Sequence, residues 1–569
     1  MDSMNLIPYI DDERLFAYAA SCARTLRPEG RGDGRAAARR LRRSMQEAER
    51  CHALLRRRYE NASHIPAACE WLLDNRWLLL REAPGVLRAL RGCRRQRRCR
   101  DGLLVAELCR ALLQAGNGSV TAERCAIFLR GFQSVTVLQR QELLLFPAAL
   151  RAAVIEGLAA QCVRLRAASD PETLTASFAA LFGSLRQLGE ADLDAVLEEA
   201  DVCSALLEGE SAGVYARMDR ASKSAYLDRL SLLAKKRGVE EQQLARELLD
   251  EAERENEHIG FLLFPPRRKS GAGLYIAALI LLTLFGSLAL AFTLGDPRLA
   301  LLLLVPVWAL VKGLTDFLLL QFAAPRRLPR LDPEAGVPPE GKTLCVLSVL
   351  LGCCTPERLE ELRLLSRCEG ENLLFGLLAD LPGAQREHMP EDEALLDHAR
   401  RTVEELNRRY GGGFYLFTRE RSFDGEAWCG RERKRGALLE LARLLAGEPS
   451  ALTVTGDASA LAGTRFILSL DADTRVMPGA AGELIAAALH PLNAPRLRPD
   501  GTVASGYGIL HPRIETELES APSSASWERT RPSGSRPEQE SRSLESISPL
   551  PAKPPQSKAS MYSSPFRPP

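Results

Sequence analysis

The chain reads as an α domain followed by an α/β domain, with a membrane hairpin between them. Three observations predict this. Up to about residue 260, Leu, Ala, Arg and Glu recur at three- and four-residue spacing. Two long apolar runs follow, and beyond Thr343 short apolar runs alternate with amphipathic segments. The expected division is a helical domain over 1–265, a transmembrane hairpin over 266–330, a partial parallel-sheet domain over 331–514 and a disordered tail over 515–569.

Within the first domain, helices are expected over 36–58, 192–207 and 221–255, and Glu70-Trp71-Leu72-Leu73-Asp74-Asn75 should form a buried helix surface. His52 and His64 have no partners at metal-ligand spacing, so packing explains them. Residues 35–58 and 88–100 are rich in arginine although the net charge is only +2. Solvated helix faces account for them first, anionic lipid head groups second and nucleic acid third. No aromatic residues interleave these arginines, which argues against a surface for stacking bases. Fourteen cysteines are scattered without zinc-type spacing, and the amino terminus lacks a secretory signal pattern, so reducing cytosol is expected around the soluble parts.

Residues 274–294 carry no charge, and 299–322 carry only Lys312 and Asp316 near their end. At ~1.5 Å per residue each run can cross a ~30 Å hydrocarbon core. Gly295-Asp296-Pro297-Arg298 forms the turn, and basic residues flank both outer ends, which predicts cytoplasmic placement of both soluble portions.

Strands are expected over 343–351, 373–379, 414–417 and 466–470, with helices over 391–410, 437–446 and 479–490. Asp380 ends the second strand, where a carboxylate can meet a nucleobase or ribose. Arg431-Glu432-Arg433-Lys434-Arg435-Gly436 precedes a helix, so cations and a helix amino terminus suit a diphosphate. The strand Phe466-Ile467-Leu468-Ser469-Leu470 ends in Asp471-Ala472-Asp473. Two such carboxylates at the lip of a sheet can hold a hard divalent ion, which in turn holds a diphosphate; a solvated acidic turn is the alternative reading. After about Ile514 the apolar periodicity ends and Ser, Pro, Arg and Glu dominate, which predicts disorder.

These motifs together resemble the amino-terminal part of the bacterial cyclic β-1,2-glucan synthases, inverting membrane glycosyltransferases. The resemblance rests on Glu70 to Asn75, Leu328-Pro329-Arg330-Leu331-Asp332, Gly336-Val337-Pro338 and Leu377-Leu378-Ala379-Asp380. It continues through Phe414-Tyr415-Leu416-Phe417, Glu432 to Gly436, Leu470 to Thr474, His490-Pro491-Leu492-Asn493 and Gly506 to Arg513. It covers roughly residues 10–514.

The resemblance implies a GT-A-like nucleotide-sugar domain at the bacterial inner membrane that transfers glucose from UDP-glucose to a β-glucan acceptor, with no nucleic acid partner. On it, Asp471 and Asp473 would hold Mg²⁺ or Mn²⁺, Asp380 would read the uridine, and Arg433, Lys434 and Arg435 would steady phosphate charge. The family's general base and Gln-x-x-Arg-Trp acceptor motif have no counterpart after Arg513, and His511 stands where the family carries glutamine. The chain is therefore expected to be a fragment with a frameshifted tail. The alternative is a catalytically incomplete, membrane-anchored protein that binds nucleotide sugar or regulates.

Overall fold

The computed structural model describes residues 9–265, 272–322, 327–352, 358–366, 371–472, 474–512 and 546–549. The chain divides into two compact units, Met1–Ala216 with Ser224–Ile259, and Arg217–Lys223 with Gly260–Pro569.

The first unit is helical, as expected. Its long helices α1 (Arg35–Arg58), α2 (Ala67–Gly92) and α3 (Arg140–Ala167) pack around one core that includes Leu41, Leu72, Leu79, Phe146, Leu150 and Val154. The Trp71 motif lies on α2, where Leu72 and Asn75 are buried and the Trp71 ring stacks on Phe182. Three helices among the described residues are long and apolar enough to cross a membrane, and α3 is one of them. Its apolar window is 67% buried inside this unit, which makes it the central core helix. The capping box between Gln139 and Glu142 fixes where it starts.

Three sequence expectations differ here. The helix expected over 192–207 breaks into Leu193–Ala200 and Val202–Glu208, because the Asp201 carboxylate accepts from the Cys203 and Ser204 amides and starts a new helix. The one expected over 221–255 breaks into Arg220–Arg237 and Glu241–Glu255 at Gly238, whose φ of 73° ends the first. A small sheet of Gly30–Gly32, Gln96–Cys99 and Gly102–Leu103 was not foreseen, since its strands are too short to show a period.

In the second unit, α4 (Ala272–Thr293) and α5 (Leu299–Phe322) are the remaining two apolar helices, and most of their large side chains are exposed. A stretch of exposed Leu, Ile, Val and Phe this long is stable only against lipid or another apolar partner. Their charged residues are paired: Lys312 Nζ and Tyr275 Oη each donate to Asp316 at 2.6 Å.

The sheet contains β1 (Thr343–Leu350), β2 (Leu373–Asp380), β3 (Phe414–Thr418), β4 (Thr453–Thr455), β5 (Phe466–Asp471) and β6 (Ser546–Pro549), in the order β6-β5-β1-β2-β3-β4. β5, β1, β2 and β3 run parallel, while β4 and β6 pair antiparallel at the two edges. The parallel sheet expected from the sequence is present in these four strands, and the antiparallel edge strands make the whole sheet mixed. The four inner strands are nearly continuous apolar runs, as strands covered on both faces must be. Helices α6 (Asp392–Tyr410), α7 (Arg433–Ala446) and α8 (Ala480–Leu489) belong to the same fold.

Within 515–569, where the sequence predicts disorder, Ser546–Pro549 pairs antiparallel along the outer edge of β5. That edge offers unpaired amides and carbonyls, and a short strand with proline at its end can satisfy them. The rest of 515–569 lies outside the described residues.

The motif Leu328 to Asp332 is stapled to this unit. Asn493 Nδ2 donates to the Pro329 carbonyl at 2.7 Å and the Leu331 amide to the Ala486 carbonyl at 3.2 Å. Arg330 pairs with Asp219 and Glu483, each at 2.7 Å. Two stretches noticed separately in the sequence thus meet through Asn493 and Pro329.

Candidate functional site

The chain order of the sheet explains where a ligand would lie. From β1 the chain steps outward to β2 and β3, then returns to the other side of β1 as β5. Such a reversal opens a crevice outside the carboxyl ends of the strands. Asp380 ends β2 and Asp471 ends β5, so both carboxylates lie at that rim.

Asp380 is buried, and Arg419 holds both its oxygens: Nε to Oδ1 at 2.7 Å and Nη2 to Oδ2 at 2.8 Å. The pairing of Ala379 with Thr418 in the β2–β3 ladder puts these two residues side by side, one step beyond the register. Arg419 also donates to the carbonyls of Arg431 at 2.9 Å and Arg433 at 2.7 Å. A buried carboxylate therefore fixes a guanidinium, and the guanidinium fixes the cationic loop. Sequence reasoning assigned Asp380 directly to the nucleoside and missed Arg419, which occupies both of its oxygens.

The loop fits closely over this pair. A Cβ on Gly430 would lie 2.6 Å from Asp380 Oδ2 and 2.8 Å from Arg419 Nη2, so only glycine passes without displacing the pair. Glu432 and Arg433 take left-handed φ values of 53° and 47°, uncommon for residues with a side chain. This turn starts α7 at Arg433 and lets its first turn project Lys434.

Lys434 Nζ reaches Asp471 Oδ1 at 2.5 Å. Both side chains are more than a third exposed, 35% and 39%, so the pair remains accessible to solvent and ligand. Arg433 and Arg435 are exposed, and Arg435 pairs loosely with Glu432 at 3.3 Å. The structure thus brings Asp471 and Lys434 together, ties Asp380 to the same loop through Arg419, and leaves Arg433 and Arg435 at its surface. Asp473 lies outside the described residues.

A second clamp went unnoticed in the sequence. Arg421 donates to both oxygens of Asp392 at 2.5 and 2.8 Å and to the carbonyls of Pro382 and Glu387. It ties the segment after β2 to the start of α6. Hydrogen bonding from Arg421 holds the Asp392 carboxyl below its ordinary range, against the opposing effect of burial.

Among the described residues, no group of three or more His, Cys, Asp or Glu gathers as a metal cage. Asp471 does offer a strand-end carboxylate whose charge a Lys434 ammonium already meets, the donor chemistry that suits a hard divalent cation shared with phosphate oxygens. The arrangement can place positive charge, a helix amino terminus and a carboxylate around one small volume.

No family model matches the chain. The cyclic β-(1,2)-glucan synthase NdvB of Rhizobium meliloti (strain 1021) is 26% identical over 408 residues, covering 62% of this chain and 14% of that protein. The chain therefore spans about one seventh of the length of the curated relative it matches. The resemblance drawn from the motifs holds at this level: the chain is similar to a cyclic β-glucan synthase.

Proposed function

We propose that this chain carries the sugar-donor site of a membrane glycosyltransferase that takes glucose from UDP-glucose for β-1,2-glucan synthesis. One observation carries the reading: Lys434 and Asp471 meet at the carboxyl ends of the strands, beside a cationic loop held by Arg419 on Asp380. The similarity to a glucan synthase supports the substrate class, and the two exposed apolar helices support the bilayer as partner.

In this reading the residues divide the work. Asp471 and Asp473 would hold Mg²⁺ or Mn²⁺, which when bound would neutralise diphosphate charge and stabilise the UDP leaving group. Lys434 would exchange its Asp471 contact for a phosphate oxygen, and Arg433 and Arg435 would add positive charge from the same turn. Asp380 keeps the loop in place through Arg419, so that these cations are preorganised before the donor arrives. Gly430 permits that close approach.

The test is UDP-glucose binding to the full chain in lipid nanodiscs, with and without Mn²⁺, followed by transfer of labelled glucose to membrane glucan. Metal-dependent binding is expected, weakened by Asp471→Asn and by Lys434→Met. Binding that ignores both substitutions would sink the donor-site reading. Binding without transfer would instead support a nucleotide-sugar-binding or regulatory protein.

A further inference from the structure

The two arginine-rich stretches of the sequence, far apart along the chain, converge in the helical unit. Arg31 and Arg35 come from the start of α1 and the strand before it, and Arg91, Arg94 and Arg95 from the end of α2 and the turn after it. Together with Asp33 they line a cavity of about 380 Å³. The convergence is built into the backbone. The Gly34 amide donates to the Cys93 carbonyl at 3.3 Å, and a Cβ on Gly34 would lie 1.9 Å from the Leu90 carbonyl oxygen. No other residue lets the start of α1 rest so closely on the end of α2.

The charge balance of the cavity is lopsided. Five guanidiniums face one carboxylate, and Asp33 is engaged with Arg35 at 3.4 Å. Among the described residues, Arg31, Arg91, Arg94 and Arg95 make no ion pair. Like charges around one small volume repel, and the repulsion falls when an anion enters. Guanidinium forks match phosphate oxygens two at a time. No aromatic side chain lines the cavity, so it offers nothing for a base to stack on. Solvated helix faces remain the plain explanation of scattered arginines, but they do not explain why five line one concavity.

We propose that this arginine-lined cavity binds a compact anion bearing two or more phosphates, at a site separate from the Asp471–Lys434 rim. A soluble diphosphate or a lipid head group with two phosphates could present that chemistry, and one experiment separates them. Inorganic pyrophosphate is titrated calorimetrically into the full chain, in the presence of EDTA, in nanodiscs of phosphatidylcholine alone or with cardiolipin, whose head group carries two phosphates. The comparison variant is Arg91→Gln with Arg94→Gln; both side chains are exposed and unpaired, so its melting transition should match the parent.

Wild type should bind with saturation in the zwitterionic discs, and the double variant at least about tenfold more weakly. Raising salt should weaken wild-type binding. If a head group is the natural occupant, cardiolipin will compete with pyrophosphate in wild type and leave the variant unchanged. If the ligand is soluble, both lipid compositions will give the same wild-type affinity. Identical isotherms for wild type and the double variant in zwitterionic discs, whether binding or not, would overturn the proposal. A Lys434→Met background should preserve the difference, which keeps failure here distinct from failure of the donor-site reading.

Discussion

Arg419 grips Asp380 through two hydrogen bonds of 2.7 and 2.8 Å, from the end of one strand to the end of its neighbour. The same guanidinium holds two carbonyls of the cationic loop, so one side chain joins the strand ends to the loop.

Arg419→Ala should therefore leave Asp380 as a buried, unpaired carboxylate, at a cost of about 3–5 kcal/mol to the sheet unit. The loop contains four basic residues within 431–435, each a trypsin site once mobile. Limited tryptic digestion should cut there much faster in the variant than in wild type, while the helical unit digests at its usual rate. Equal cleavage at 431–435 would show that the clamp does not order the loop.

Gly430→Ala should reproduce part of that effect without removing a charge. Its Cβ would meet Asp380 Oδ2 at 2.6 Å, so either the loop or the pair must move. UDP-glucose affinity is expected to fall by at least about tenfold, the cost of roughly 1.4 kcal/mol of mispositioning. Fluorescence titration of the variant against wild type measures it.

Lys434→Met and Asp471→Asn should separate binding from folding. Their pair is partly exposed, so losing it should change stability by no more than about 1 kcal/mol. Donor affinity should drop in both, and Asp471→Asn should also lose its response to Mn²⁺. A large fall in melting temperature in either would assign the pair a structural role instead.

Acid should weaken the sheet unit through Asp392. Its folded carboxyl lies below the ordinary range because of Arg421, so it contributes stability above the unfolded value near about 3.9 and loses it as pH falls through the lower folded value. The helical unit holds a parallel case: burial acts to raise the Glu210 carboxyl, but His258 and the amides of Ile259 and Tyr215 outweigh it and keep it low. Melting followed by circular dichroism between about pH 6 and pH 2 should show stability declining mainly below about pH 4. Arg421→Gln should flatten the part of that decline that belongs to the sheet unit.

The sequence made the strand ends legible because buried parallel strands are apolar runs, and a carboxylate that closes such a run is conspicuous. Asp380 and Asp471 were singled out on that signal, and Lys434 on a run of cations just before a helix. Arg419 was not, because its meaning depends on a partner 39 residues earlier in the chain. The register of β2 on β3 was the available clue: residues that follow paired positions in parallel strands are neighbours. β4 and β6 were missed because edge strands of three and four residues carry no period. The convergence of the two arginine-rich stretches was invisible for another reason, since it is created by the packing of Gly34 on Leu90.

The staple at Asn493 and Pro329 bears on how the rim works at a surface. Arg330 is fastened eight positions after Phe322, the last residue of α5, and eight extended residues reach at most about 29 Å. With α4 and α5 embedded in lipid, the fastening point on α8 stays on a short leash. On the proposed donor-site reading, a sugar joined at this rim would be joined within that reach of the bilayer.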